Sequence, residues 1–215
     1  DYPDAPPQRF RTIRNGFDDA EFAGEVPPRP GLNFAHTGGF YGTRRPEPFL
    51  DALCAARAAH PDLHDRISVT LMGPFPDPDF DLRCRNDYGF VTAIPPQPRA
   101  ASIELMRSSQ VLLLFRHLEC TLTLPGKLYE YMASGGHIIA VTGTEDELDV
   151  VLADYPNCQI LRNPDEGACR AAIERVFELY RSGQLVARPP DAVASFSRQR
   201  ASAMLSEVFD EVLRG

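Results

Sequence analysis

Short apolar runs alternate with segments of helical spacing from residue 32 to residue 182. The first run, Leu32-Asn33-Phe34-Ala35-His36-Thr37, reads as a strand entering the turn Gly38-Gly39. Pro48 to His60 carries apolar residues at helical spacing through Phe49, Leu50, Leu53 and Ala56. Further strands are predicted at Ile67–Gly73, Tyr88–Ile94, Gln110–Phe115, His137–Thr142 and Cys158–Leu161. Helices are predicted at Ala100–Ser108, Leu128–Ser134, Asp146–Asp154 and Glu166–Ser182. The prolines Pro74, Pro76 and Pro78 mark a turn. Arg188-Pro189-Pro190 breaks the chain before a final helix, Val193 to Arg214.

Strands that alternate with helices imply a parallel sheet covered on both faces. The expected fold class is therefore α/β: a Rossmann-like parallel sheet of about six strands plus a C-terminal helix. Residues 1–31, rich in Pro, Asp and Gly, read as an extended lead-in; 32–187 form the Rossmann-like domain, and 188–215 the closing helix. Ligands of such sheets bind beyond the carboxyl ends of the strands. Gly38-Gly39, Gly73-Pro74, Ile94-Pro95 and Arg116-His117 fall at those ends, as does the loop from 116 to 126.

Composition narrows the chemistry. A net charge of −8 over 215 residues excludes a broad nucleic-acid surface, so any anion must be held locally. The five cysteines are scattered and form no C-x-x-C pair, which suits packing in a reducing compartment. No apolar stretch approaches the roughly 18 residues of a membrane span. Lys127 is the only lysine, set among 21 arginines. It stands in Leu124-Pro125-Gly126-Lys127-Leu128-Tyr129-Glu130-Tyr131, where Pro125 suits a first helical turn and Gly126 permits close approach to the backbone. A helix N-terminus with a lysine is an anion site; an exposed helix residue is the plain alternative.

Other segments are read in the same way. Gly38-Gly39-Phe40-Tyr41-Gly42-Thr43-Arg44-Arg45 offers free backbone N–H groups and two guanidinium groups for a diphosphate. It matches neither the dinucleotide fingerprint nor the P-loop, and solvated arginines on an ordinary loop would look the same. Glu130 lies on the face of Lys127 and suits a ribose diol; the alternative is a surface ion pair between the two. Asp77-Pro78-Asp79-Phe80-Asp81 resembles a metal-binding D-x-D but sits in a proline-rich turn, so no metal site is expected. His36 reads as a core residue, and His117 as a strand-end residue able to face the site. No hydrolase elbow is present.

These segments resemble the group 1 (family 4) glycosyltransferases of the GT-B fold. Leu124 to Gly135 is similar to that family's Pro-Ser-Lys-x-x-Glu-Tyr-x-Ala-x-Gly stretch. Ile13-Arg14-Asn15-Gly16-Phe17-Asp18-Asp19-Ala20-Glu21-Phe22 resembles the Ile-x-Asn-Gly-x-Asp-x-x-x-Phe segment leading into its C-terminal, nucleotide-sugar-binding half. Thr37-Gly38-Gly39, Arg44-Arg45 and Val193 to Leu213 follow the pattern too. There are departures: Leu122 stands where the family's first glutamate would fall, Glu119 is out of register, and His137 replaces a common proline. The resemblance implies one half of a GT-B enzyme, the donor-binding domain of a retaining, metal-independent hexosyltransferase.

In that reading Lys127, with Arg44 or Arg45, neutralises the leaving diphosphate, and Glu130 holds the ribose. The backbone around Gly38, Gly39, Gly73, Pro74, Val91 and Ile94, with Leu124, Pro125, Gly126 and Leu128, borders the donor. The implied partner is a nucleoside-diphosphate sugar, with no separate cofactor. The acceptor would be bound mainly by an N-terminal domain, and the isolated half would be inactive. The implied location is the cytoplasm, at the inner face of a membrane where that domain docks there. A GT-B-like sugar-nucleotide epimerase and a non-catalytic α/β binding module are the alternatives.

Overall fold

The computed structural model describes residues 6, 9–40, 44–75, 79–117, 124–185 and 191–214, with only the backbone of Leu82 and Ala192. Tyr41–Thr43, Asp77, Glu119, Cys120, Leu122 and the Arg188-Pro189-Pro190 break lie outside the described residues.

Six strands form one parallel sheet: β1 (Leu32–Thr37), β2 (Ile67–Met72), β3 (Val91–Ile94), β4 (Val111–Phe115), β5 (His137–Thr142) and β6 (Cys158–Arg162). Their spatial order is β3-β2-β1-β4-β5-β6. The order reverses between β1 and β4, where Phe34 pairs with Val111 and Ala35 with Leu112. This is the switch point at which doubly wound sheets open a crevice. Every residue of β1 and β4 is buried, which explains why β4 reads as a continuous apolar run, while β1 also buries Asn33, His36 and Thr37.

The helices divide between the two faces. α1 (Glu47–Ala59), α2 (Phe80–Asp87) and α6 (Glu166–Arg181) cover one face through Phe49, Leu53, Phe80, Ile173 and Phe177. α3 (Arg99–Ser108), α4 (Lys127–Ser134) and α5 (Glu147–Leu152) cover the other through Met106, Leu128, Tyr131 and Leu148. α7 (Arg198–Arg214) closes the chain and buries none of its residues.

Three expectations need correction. α2 forms where the sequence pattern marks only the end of a turn, at Phe80 and Asp81, and no element over residues 82–87. Half of its sequence, FDLRCRND, is charged, and Phe80 and Cys84, one turn apart, carry its packing. The strand expected from Tyr88 begins at Val91, because Gly89 takes a left-handed φ of 71°. The final helix begins at Arg198, after a 3-10 turn over Asp191–Phe196.

The lead-in packs against the domain. Phe17 is buried, its carbonyl accepts from Arg198 N–H at 2.8 Å, and its ring meets Phe22 edge-on. Asp18 caps the 3-10 turn Asp19–Phe22 by accepting from Ala20 N–H. The lead-in thereby reaches α3 and α4.

Candidate functional site

The site begins with how α4 is held. Tyr131 is fully buried; its hydroxyl accepts from Thr37 N–H at 2.9 Å and lies 3.4 Å from the Leu113 carbonyl. That bond pins α4 to the carboxyl end of β1 at the switch point. Lys127 is one turn earlier on the same helical face, so the pinning carries its ammonium to the Gly38 turn. The proximity is close: a Cβ placed on Gly38 would lie 1.9 Å from Lys127 Nζ. Gly38 has φ 136°, so glycine is needed there for the backbone and for the lysine alike.

The neighbouring turn is built around the same contact. Gly38 N–H donates to Met72 O at 2.6 Å, and Gly73 N–H donates to Ile94 O at 3.0 Å. A Cβ on Gly73 would fall 2.1 Å from Gly38 O. Phe40, with Phe75, Phe80 and Phe115, forms an aromatic cluster behind the turn.

A cavity of about 370 Å³ opens at this edge. Thr37, Gly38, Gly73, Pro74, Lys127 and Glu130 line it on one side, and Pro96, Gln97, Arg99 and Ser102 on the other. Of the residues picked from the sequence, five meet here: Gly38, Gly73, Pro74, Lys127 and Glu130. Gly39 and Ile94 stand beside the cavity without lining it. Leu124, Pro125 and Gly126 lead into α4, and Gly126 is packed against Asn15, whose Nδ2 would lie 2.9 Å from an added Cβ.

Two assignments are corrected. Val91 opens β3, at the end away from the carboxyl edge, with its side chain buried in the core on the α1 face, so neither its backbone nor its side chain lines the cavity. Leu128, in the first turn of α4, has its side chain fully buried in the core, and its N–H donates to Pro125 O at 2.9 Å. Arg44 and Arg45 line a second cavity of about 310 Å³, on the α1 side of the sheet, with Phe49, Phe115 and Arg116. Arg44 still lies close enough for its charge to act on Lys127.

Electrostatics single out Lys127. Burial, with the Arg44 charge as a smaller cause, pushes its pKa down to about 8, against an opposing pull from Glu130. The Lys127–Glu130 ion pair, the plain alternative for Glu130, does not form among the described residues. Glu130 Oε1 instead accepts from Arg99 Nη1 at 2.9 Å, and Arg99 also forks onto Glu21. Lys127 is left without an ion pair among the described residues, at the mouth of a cavity.

His36, read as a core residue, is buried as expected, but it also belongs to the site. Its Nδ1–H donates to the Leu113 carbonyl at 2.7 Å, so Nε2 carries the lone pair. Nε2 points at the Gly38 turn and makes no hydrogen bond of normal geometry. Burial, then the Lys127 charge, depresses its pKa to about 3, so the ring is neutral beside the ammonium. Arg99 was also missed, because no local motif marks it. His117 is half-buried beyond β4 and does not line the cavity.

A neutral Lys127 cannot hold an anion, so binding there should depend on pH. As pH rises through about 8 the free site loses its proton. Affinity for inorganic pyrophosphate is therefore expected to fall between pH 7 and pH 9.5, with proton uptake on binding at the upper end. Calorimetry in buffers of different ionisation enthalpy measures that uptake. Constant affinity across the range would show that the ammonium does not meet the anion.

No protein-family profile and no curated protein matches this sequence. Solved structures match its fold. The structure of Anabaena Alr3699/HepE in complex with UDP and glucose superposes with a TM-score of 0.69 at 15% identity, covering 94% of this chain and 57% of that one. WaaG, a glycosyltransferase involved in lipopolysaccharide biosynthesis, gives 0.63 at 13% identity, covering 92% and 57%. A putative UDP-N-acetylglucosamine 2-epimerase from Listeria monocytogenes gives 0.60 at 10% identity, covering 85% and 46%. The chain spans between 46% and 57% of the length of these proteins. Its six-stranded parallel sheet with flanking helices has the fold of one half of a GT-B enzyme.

Proposed function

We propose that this chain is the donor-binding part of a retaining, metal-independent glycosyltransferase that takes a hexose from a nucleoside-diphosphate sugar. The observation that carries the reading is Lys127: its ammonium meets the Gly38 turn at the switch point, without an ion pair among the described residues, on a cavity large enough for a nucleotide. Lys127 would meet the diphosphate as a point charge, and Arg44 would add to the positive field. A fixed cation aimed at developing charge on the leaving group is a sound substitute for a metal ion. Glu130 would accept from the ribose hydroxyls. The acceptor would be held mainly by a domain outside these 215 residues.

Because HepE was solved with UDP, UDP and UDP-sugars are the first ligands to try. Calorimetric titration with UDP, GDP, ADP and dTDP, with and without EDTA, tests the reading. At least one diphosphate should bind, with affinity unchanged by chelation. A tenfold loss in EDTA, restored by manganese, would instead require a metal. Failure of all four to bind would favour a non-catalytic module.

The likeness to an epimerase supports a second reading, since that fold also handles sugar nucleotides. Incubating the full-length natural protein with the bound sugar nucleotide separates the two. Inversion at a sugar carbon without an acceptor would favour the epimerase.

A further inference from the structure

The geometry points to Arg99, held by Glu21, as a positioning residue that keeps Glu130 off Lys127 and turned toward the ribose. The inference rests on the donor-binding reading above and adds a residue set to it. Three observations carry it. Glu130 is three residues beyond Lys127 on α4, a spacing at which a free carboxylate closes onto the ammonium. It does not do so here: Oε1 accepts from Arg99 Nη1 at 2.9 Å, across from α3. Arg99 is itself clamped, its Nε and Nη2 donating to the two oxygens of Glu21 in a fork.

The fork explains why one arginine can do this. A guanidinium is planar and presents its donors in fixed directions. With Nε and one Nη2 hydrogen committed to Glu21, the plane and direction of the guanidinium are set, and Glu130 accepts from an Nη1 hydrogen on its far side. Glu130 is then the most buried of the three, with its side chain 14% exposed against 28% for Glu21 and 46% for Arg99. Its Oε2 is left free of Arg99 and available to the cavity that both residues line. Lys127 meanwhile keeps its charge for the anion.

The anchor comes from far away in sequence. Glu21 sits in the 3-10 turn of the lead-in, fixed by the Asp18 cap and the Phe17–Phe22 contact. The lead-in thus sets the geometry of the donor site through two carboxylates and one guanidinium. Its Asn15 packs on Gly126 at the start of α4 as well. This accounts for the presence of both segments, Asn15–Phe22 and the Lys127 helix, in one folding unit.

The test compares ribonucleotide with deoxyribonucleotide. Whichever of UDP, GDP or ADP binds the wild-type chain is titrated beside its 2′-deoxy counterpart, with inorganic pyrophosphate as a third probe. Arg99→Leu is expected to reduce the preference for the ribonucleotide at least fivefold and to weaken pyrophosphate binding severalfold, as Glu130 closes on Lys127. Arg99→Lys should recover little of the preference, since an ammonium cannot fork onto Glu21 and reach Glu130 together. Glu21→Gln should show a smaller loss of the same kind. A residue with only a structural role would lower thermal stability and leave the ribo-to-deoxyribo ratio where it was; that outcome overturns the inference. Glu130→Gln separates the two levels of the argument. If it leaves the ratio unchanged, the ribose role of Glu130 fails. If it lowers the ratio while Arg99→Leu does not, the positioning role alone fails.

Discussion

Lys127→Ala is expected to weaken binding of the preferred nucleoside diphosphate about 10- to 150-fold. A hydrogen bond to a charged group is worth roughly 1.5–3 kcal/mol, and about 1.4 kcal/mol corresponds to a decade in affinity. The bare nucleoside should bind as before, because it lacks the charge that the ammonium meets. The fold should hold, since alanine is a strong helix former and Tyr131, not Lys127, pins α4 to β1. Lys127→Arg should restore only part of the affinity: the larger planar fork must fit where an added Cβ on Gly38 would already touch Nζ. Gly38→Ala gives an independent version of the same loss. Its methyl group would displace the ammonium and strain a backbone at φ 136°. Titrations of the single variants and the double variant decide it. If the losses for Gly38→Ala and Lys127→Ala simply add, the two residues do not act through one contact. Equal affinity of wild type and Lys127→Ala for the diphosphate would make Lys127 an ordinary surface residue.

The sheet was legible in the sequence for a physical reason. Strands buried on both faces are continuous apolar runs, and Val111-Leu112-Leu113-Leu114-Phe115 has no other reading in a chain of this composition. Helix α2 was not legible, because a charged helix that packs through Phe80 and Cys84 leaves almost no periodic signal. The site divides in the same way. Lys127, Gly38 and Gly73 were found because local features mark them: an isolated lysine at a helix start, and glycines at strand ends. Arg99 and Glu21 were not found because their partners are set by the packing of distant segments, 78 residues apart for the fork and 31 for the bond to Glu130. Val91 was misplaced because the pattern began the strand at Tyr88, whereas Val91 is the first residue of β3, at the end away from the carboxyl edge where the cavity opens. His36 shows the converse limit. Burial was read correctly, yet only the tertiary contact reveals that its free nitrogen borders the Gly38 turn.

The same limit hid the largest expected stability effect, at the end of β4. Arg116 marked a strand end in the sequence, with nothing to suggest a partner. In the structure its Nη1 donates to both oxygens of Asp146 at 2.8 Å, and the two side chains are 2% and 5% exposed. Asp146 also caps α5, accepting from Leu148 N–H at 2.8 Å while Asp149 returns a bond to the Asp146 N–H at 2.9 Å. The pair therefore ties β4 to the start of α5 beneath the carboxyl edge. Burying two charges costs so much desolvation that the intact pair adds little net stability, but removing one partner strands the other. Arg116→Met is expected to destabilise the fold by about 3–5 kcal/mol for that reason. In a domain of this size about 1 kcal/mol moves the melting temperature by roughly 2–4 °C, so the shift should reach about 6–20 °C. Asp146→Asn should cost less than Asp146→Leu, since asparagine keeps the helix cap and an acceptor oxygen, while both remove the carboxylate charge beside the guanidinium. The double change Arg116→Met, Asp146→Leu should be more stable than the sum of its parts predicts, because neither charge is then left alone. Thermal unfolding of the four variants beside wild type measures all three relations. A melting temperature for Arg116→Met within 2 °C of wild type, on the roughly 2–4 °C per kcal/mol scale, would mean that solvent reaches Asp146 and that the pair does not bind β4 to α5.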